Sequence, residues 1–383
     1  MTRRTLVGAA LLLATGLLPG SAFAQTESPA PSIERARQLS ADGRAAEALD
    51  MLRHLPSSVD STTLRIEIAL TLKDFSQAVA AYEELAGPLK APSRAVLATI
   101  ATTRALSLRA DTDPQVRVAA CEALMLAGSA PECRAELQGT ANDPTASFEN
   151  RLTAARVLVE HKMPDAARLL DAVINQGIQN GPAVTAEALA RMPPSVSNEP
   201  LKRLLSSENA DAQYLAARAL APRRVKDAMA PLRSVATDPE AGAARLMAYI
   251  GLAALGELDG LRTLRETLPL MKGRERLEAA RALTLLEDPT GPPMLEALLA
   301  GEHELLRIET AEQLYPTRPS AAQSTLTAAV DNANPWIRAS AIAAASRVGI
   351  PVTRSIRRAV GDSNAHVAAA AVRAVLMDLR TRR

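Results

Sequence analysis

One repeat constrains this chain more than any other feature. Set Arg117, Arg151, Ala183, Tyr214, Arg245, Arg276, Arg307, Arg338 and Ala368 in one register, and the steps between them are 34, 32, 31, 31, 31, 31, 31 and 30 residues. Three residues past each register position stands a small side chain: Ala120, Ala154, Ala186, Ala217, Ala248, Ala279, Thr310, Ala341 and Ala371. One past it the column reads Val118, Leu152, Val184, Leu215, Leu246, Leu277, Ile308, Ala339 and Ala369. Seven past it the column reads Leu124, Leu158, Ala190, Ala221, Leu252, Leu283, Leu314, Ala345 and Val375. Apolar columns held in one register through nine units mark the buried sides of a recurring helix. Chance composition would lose the register.

Composition agrees with helices and opposes sheets. Hydrophobic residues are 48% of the chain, but aromatics only 2%, so the apolar content is mostly Ala, Leu and Val. Ala and Leu favour helix, and strand formers are sparse. A second apolar stretch precedes the register helix in most units: Leu169-Leu170-Val173, Leu201-Leu204-Leu205, Leu261-Leu264-Leu268 and Met294-Leu295-Leu298-Leu299. Each unit therefore reads as two antiparallel helices. Asp113-Pro114, Asp143-Pro144, Asp238-Pro239, Asp288-Pro289 and Asn334-Pro335 mark joints, because Asp and Asn cap free N–H groups and Pro suits a first turn. Gly128, Gly256 and Gly349 fall where a helix must stop.

Asp113 to Leu124 follows the pattern Asp-x-x-x-x-Val-Arg-x-x-Ala-x-x-Ala-Leu apart from a short Asp–Arg gap, and Asp331 to Ala345 follows it loosely. This resembles the HEAT-like repeat family, in the short form found in phycobilin lyases. The resemblance implies an all-α fold, a right-handed α-solenoid of about nine stacked helix pairs over residues 91–383. It also implies an Asp–Arg ladder between neighbouring units, with Asp113, Arg117, Arg245, Arg276, Arg307 and Arg338 as members. Tyr214 and Ala368 depart from the pattern, which implies an interrupted ladder there and a last unit that acts as a cap. Residues 32–90 are similar to tetratricopeptide repeats. Ala36, Gly43 and Ala48 have the matching gaps, and Ala78 stands 30 residues after Ala48. These residues are expected to form helical hairpins that pack onto the repeats.

The first 24 residues read as a cleavable signal. Thr2-Arg3-Arg4 is a short basic segment, Leu6 to Leu18 is apolar, and Ala22-Phe23-Ala24 is a small-x-small site before Gln25. The apolar run is shorter than the roughly 20 residues of a membrane span, so no span is expected. Both the general secretory and the twin-arginine routes remain open. Residues 25–31 read as a disordered lead-in. In a cell with two membranes the mature chain would be periplasmic, or else secreted.

The net charge is +2 and aromatics are few. A nucleic-acid surface needs a basic excess and stacking rings, so that class is set aside. His54, His161, His303 and His366 have no second ligand at metal spacing on one helix. No phosphate loop or nucleophile elbow occurs. The chain is therefore expected to be no enzyme and to hold no cofactor. A lyase is disfavoured because phycobilin lyases act in the cytoplasm of phototrophs. Cys121 and Cys133 are the only cysteines, and form either a disulfide or two buried thiols. Side chains on the second helix of each unit would meet a partner: Arg156, Tyr249, Arg281, Glu312, Tyr315, Trp336 and Arg373. The leading expectation is an exported adaptor that binds a protein of the cell envelope. An enzyme or enzyme subunit with an unfamiliar site, and a self-assembling spacer, are the alternatives.

Overall fold

A computed structural model of the chain describes residues 32–90, 94–128, 131–192 and 194–381. The expected signal peptide and lead-in, residues 1–31, lie outside them. Every regular element among the described residues is a helix.

The N-terminal hairpins are α1 (Ile33–Ala41), α2 (Ala45–Arg53), α3 (Val59–Thr71) and α4 (Phe75–Ala86). Ser32, Ser58 and Asp74 start three of them by accepting the N–H of Arg35, Ser61 and Gln77. Ala36, Ala48 and Ala78 are fully buried where these helices touch. Gly43 makes the first turn at φ +79°, and Lys73 takes the equivalent place in the second at φ +56°.

Nine helix pairs follow. They are α5 (Arg94–Leu108) with α6 (Pro114–Leu126), α7 (Pro131–Asn142) with α8 (Phe148–Glu160), and α9 (Ala166–Asn180) with α10 (Pro182–Ala190). Next come α11 (Pro194–Leu204) with α12 (Ala210–Leu220), α13 (Met229–Thr237) with α14 (Ala243–Ala254), and α15 (Leu258–Thr267) with α16 (Gly273–Leu285). The last are α17 (Gly291–Leu299) with α18 (Glu304–Leu314), α19 (Pro319–Val330) with α20 (Pro335–Arg347), and α21 (Arg354–Ala359) with α22 (Ala365–Thr381). Each second helix packs on the second helix of the next pair, whereas first helices touch one another far less. The second helices are thus the inner layer of a curved stack, and the first helices its outer layer.

All nine residues of the small column have no exposed surface. A methyl group there lets neighbouring helices approach closely. Thr310 fits because its hydroxyl donates to the Leu306 carbonyl at 2.6 Å, leaving no buried donor unmet. The apolar column at +1 is less uniform. Val184 is 58% exposed on the short helix α10, against the expectation of a buried side chain.

The stack does not end in a cap. α22 packs on α5 and α6 as it does on α20, and α21 packs on α4. The expectation of a terminal capping unit is therefore corrected: the last pair lies between the eighth pair and the first, and the inner helices form a closed ring. Ala368 departs from arginine because its place in that joint is fully buried.

Helix starts and stops follow local chemistry. Asp113 and Asn334 accept the N–H of Gln115 and Trp336 at 2.8 and 2.9 Å, and directly cap α6 and α20. Asp143 and Asp238 make the same turn several residues ahead of α8 and α14, and Asp288 precedes an outer helix, α17. Inner helices stop at a residue in the left-handed region, eleven past the register: Gly128, Lys162, Gly256, Glu287 and Gly349, with φ of +86°, +54°, +84°, +58° and +77°. The next N–H then closes a wide turn, as in Glu257 to Leu252 O at 3.0 Å and Ile350 to Ala345 O at 2.9 Å. α12 ends differently. Its guanidinium Arg223 reaches back to the carbonyls of Leu189, Ala190 and Met192 at 3.2, 2.9 and 3.1 Å. Burial, with Arg281 nearby, pushes its pKa down to about 10.

Lys162 and Glu287 are exposed and occupy a conformation in which a Cβ is strained. Lys162→Gly and Glu287→Gly should each stabilise the protein by about 1 kcal/mol, and Gly349→Ala should destabilise it by about as much. Urea unfolding midpoints at unchanged slope check the signs.

Candidate functional site

The inner layer carries its charges in register. Five past the register stand Glu122, Arg156, Arg281, Glu312 and Arg373. Ring closure brings the first and last of these together. Glu122 Oε1 lies 2.9 Å from Arg156 Nη2 and 3.0 Å from Arg373 Nε, so one carboxylate bridges α8, α6 and α22. Arg156 also donates to Glu160 at 2.7 Å. Burial opposes the charge on Glu122, but Arg156 and Arg373 outweigh it and hold the carboxyl below the usual carboxylate range.

A second cluster spans α16 to α20. Glu312 receives two hydrogen bonds from Arg347 at 2.7 and 2.9 Å, and Glu309 pairs with Arg274 at 2.7 Å. Glu278 is different. It is 8% exposed, and its nearest cation is Arg281 Nη1 at 3.7 Å. Its Oε2 is buried with no hydrogen bond. Burial outweighs Arg281, Arg218 and Arg274, so the carboxyl is raised above its ordinary value. Two buried glutamates of one inner layer are thus pushed in opposite directions.

The seam where the ring closes is mostly polar at its edges and apolar inside. Arg357 makes two hydrogen bonds to Glu83, at 2.5 and 3.2 Å. Arg104 donates to Asp362 O at 3.1 Å while its guanidinium lies 4.7 Å from the centre of the Phe75 ring. Ser76 Oγ donates to Gly361 O at 2.9 Å. A Cβ on Gly361 would stand 2.7 Å from Ser76 Cα, so the two backbones meet only because that position is glycine. Val367, Ala368, Ala371, Val372 and Val375 fill the interior of the joint without exposure.

The ladder residues sit differently from the family pattern. Arg117 donates to the carbonyls of Asp111 and Thr112, both at 3.0 Å. Arg245 and Arg307 reach Ala236 O and Leu299 O, at 3.4 and 3.0 Å. Arg245 and Arg307 thus satisfy carbonyls at the end of the preceding helix, and Arg117 those of the loop that leads into its own helix. An inter-unit Asp–Arg rung forms at Arg338, which binds Asp362 through two nitrogens at 3.0 and 3.1 Å. Asp113 instead meets His366, Nε2 to Oδ2 at 2.9 Å, across the seam. Among the described residues Arg276 pairs with no aspartate.

The expected partner-facing residues separate into three kinds. Arg156, Arg281, Glu312 and Arg373 are engaged in the ion pairs above, and Tyr249 and Tyr315 pack against the core. Trp336 is 58% exposed, with its ring centroid 4.8 Å from that of His366. Sequence reasoning missed Glu122, Glu278, Arg347 and His366. Glu122 was in the same register column as Arg156, so the signal was present. Its significance depended on the ring closing. Cys121 and Cys133 are both buried, and their thiols are unbonded in this structure.

Two cavities lie between repeats. One of about 380 Å³ is lined by Gln138, Asn142, Asp165 and Arg168 among others, and another of about 160 Å³ by Glu304, Arg307 and Asn332 among others. Neither brings two carboxylates together. Among the described residues no helix is long and apolar enough to cross a membrane.

No family description matches the sequence, and no curated protein matches it. A solved structure of human deoxyhypusine hydroxylase in complex with glycerol is 18% identical, with 65% of this chain and 97% of that chain covered and a TM-score of 0.32. A likeness that loose says nothing about the activity of this chain.

The opposed glutamates give a pH prediction. Glu122 has a lowered folded pKa, so its contribution is present above the unfolded carboxyl pKa and is lost as pH falls through the folded value. Glu278 has a raised folded pKa, so its share is present at low pH and is lost as pH rises through the folded value. Glu278→Gln should therefore stabilise the protein at pH 7, with the gain vanishing near pH 4. Glu122→Gln should destabilise it at pH 7, by about 3 kcal/mol if the two arginines are left unpaired. Unfolding midpoints of both variants from pH 4 to pH 8 check the crossing signs.

Proposed function

We propose that this chain is an exported, non-catalytic scaffold that holds another protein of the bacterial cell envelope on the rim of its ring. One observation carries the reading. Two before the register, three successive inner helices present Leu305, Trp336 and His366. Leu305 is 51% exposed and Trp336 58% exposed, beside the seam. Exposed aromatic and apolar side chains in a row, set on a rigid helical frame, supply the anchor that protein interfaces use. Apart from Glu278, the inner-face charges described above pair with charges of opposite sign, which suits holding the frame more than recruiting a charged ligand. The signal-like N-terminus supports export, and the tetratricopeptide-like hairpins add further helical surface beside the ring.

A second reading, an enzyme with an unfamiliar site, has one observation in its favour. Glu278 is a buried carboxyl with a raised pKa, a property that general acids share.

A benzophenone photocrosslinker at position 336, compared with one at the exposed outer position Arg168, tests the scaffold reading in cells. The expected result is one dominant adduct from position 336 in the envelope fraction, on a chain beginning at Gln25. Trp336→Ala should weaken recovery of that partner by roughly 10- to 100-fold, because an anchor is worth about 2 kcal/mol, while leaving the fold intact. No adduct from folded protein, or the same adducts from both positions, contradicts it.

A further inference from the structure

Cys121 and Cys133 lie apart in sequence but meet in the first joint of the stack. In an antiparallel hairpin of α6 and α7, Cys121 stands opposite Glu136, and its thiol donates to Glu136 Oε2 at 3.5 Å. Cys133 is three residues earlier on α7, one turn along the same face, so the helix pair sets the two sulfurs within a turn of each other. Arg109 of α5 closes the group, 2.7 Å from Glu132 and 3.1 Å from Glu136. Both sulfurs are essentially without solvent exposure.

We infer that Cys121 and Cys133 are a dithiol–disulfide pair, oxidised by exchange with an external disulfide, and that the bond fixes α6 to α7. The two sulfurs are neighbours with no other thiol to compete, and α6 is the helix that receives α22 at the seam. Cys133 is the attacking sulfur. It stands in the first turn of α7, beside the connection between the helices, whereas Cys121 lies more than a turn inside α6, so a local opening uncovers Cys133 first. The Cys133 thiolate attacks one sulfur of the external disulfide and expels one thiolate. Cys121 then passes its proton to Glu136 and attacks Cys133 Sγ, expelling the second thiolate. The protein loses two electrons and two protons, and the external disulfide becomes two thiols. Because the folded sulfurs are covered, exchange takes place before α6 and α7 have packed, or during a local opening.

The pair does not rest on the export reading, which decides only which form prevails in the cell. The test is refolding of the full chain in glutathione buffers of graded thiol-to-disulfide ratio, followed by acid quench, alkylation and intact-mass analysis. The expected product lacks two hydrogens and yields one linked peptide pair containing Cys121 and Cys133. Cys121→Ser and Cys133→Ser should each instead carry one glutathione on the remaining cysteine when refolded in the oxidised buffer. Refolded wild type that stays reduced at every ratio, or carries glutathione on both cysteines, overturns the inference. Protein drawn from cells in the reduced form, while refolding gives the bond, would count against export and leave the pair standing.

Discussion

Everything in this molecule depends on how closely its inner helices approach one another. Nine positions, eight alanines and Thr310, have no exposed surface and sit at those approaches. A larger side chain at one of them would push two helices apart, at about 1–3 kcal/mol in a packed core. In a ring the cost does not stay local. A wedge in an open stack tilts one end, whereas here it has to be absorbed by the seam.

The seam shows how a repeat unit is adapted to close a circle. The unit before it makes an Asp–Arg rung, Arg338 to Asp362. The last unit has Ala368 where an arginine would stand, because that position is buried between α22 and the first pair. The polar contact moves two residues earlier, to His366, which reaches Asp113 of the first unit at 2.9 Å. Asp362 in turn offers its carbonyl to Arg104 of α5. Residues that look like departures from the repeat are thus the ones that join its ends. Glu122, flanked by Arg156 and Arg373, makes the same connection on the inner face.

Much of this was legible in the sequence. Columns of Ala and Leu at fixed register gave the helix pairs, and their turn residues gave most joints. Two things were not. Closure depends on the rotations at nine joints summing to a full turn, about 40° at each, and no single residue encodes that sum. An open stack and a ring share the same columns. Side-chain roles at the seam were hidden for the same reason: His366 read only as a histidine without a second ligand, and Glu122 drew no attention, until α22 lay beside α6. Trp336 was singled out from scarcity alone, and its exposure beside His366 is a property of the fold. Lys162 and Glu287 stop their helices where glycine would be expected, so the sequence showed three such stops and the fold shows five.

The most direct test of the closed ring is a distance between spin labels at Ala80 on α4 and Arg358 on α21, with both native cysteines replaced by serine. Those helices touch in the closed ring. Nine pairs spaced at about 9 Å would put them roughly 70 Å apart in an open stack. Closure predicts one narrow distribution below about 30 Å, a pair of side-chain lengths beyond one helix spacing. A broad distribution centred beyond about 60 Å, the span of an open stack, would contradict it.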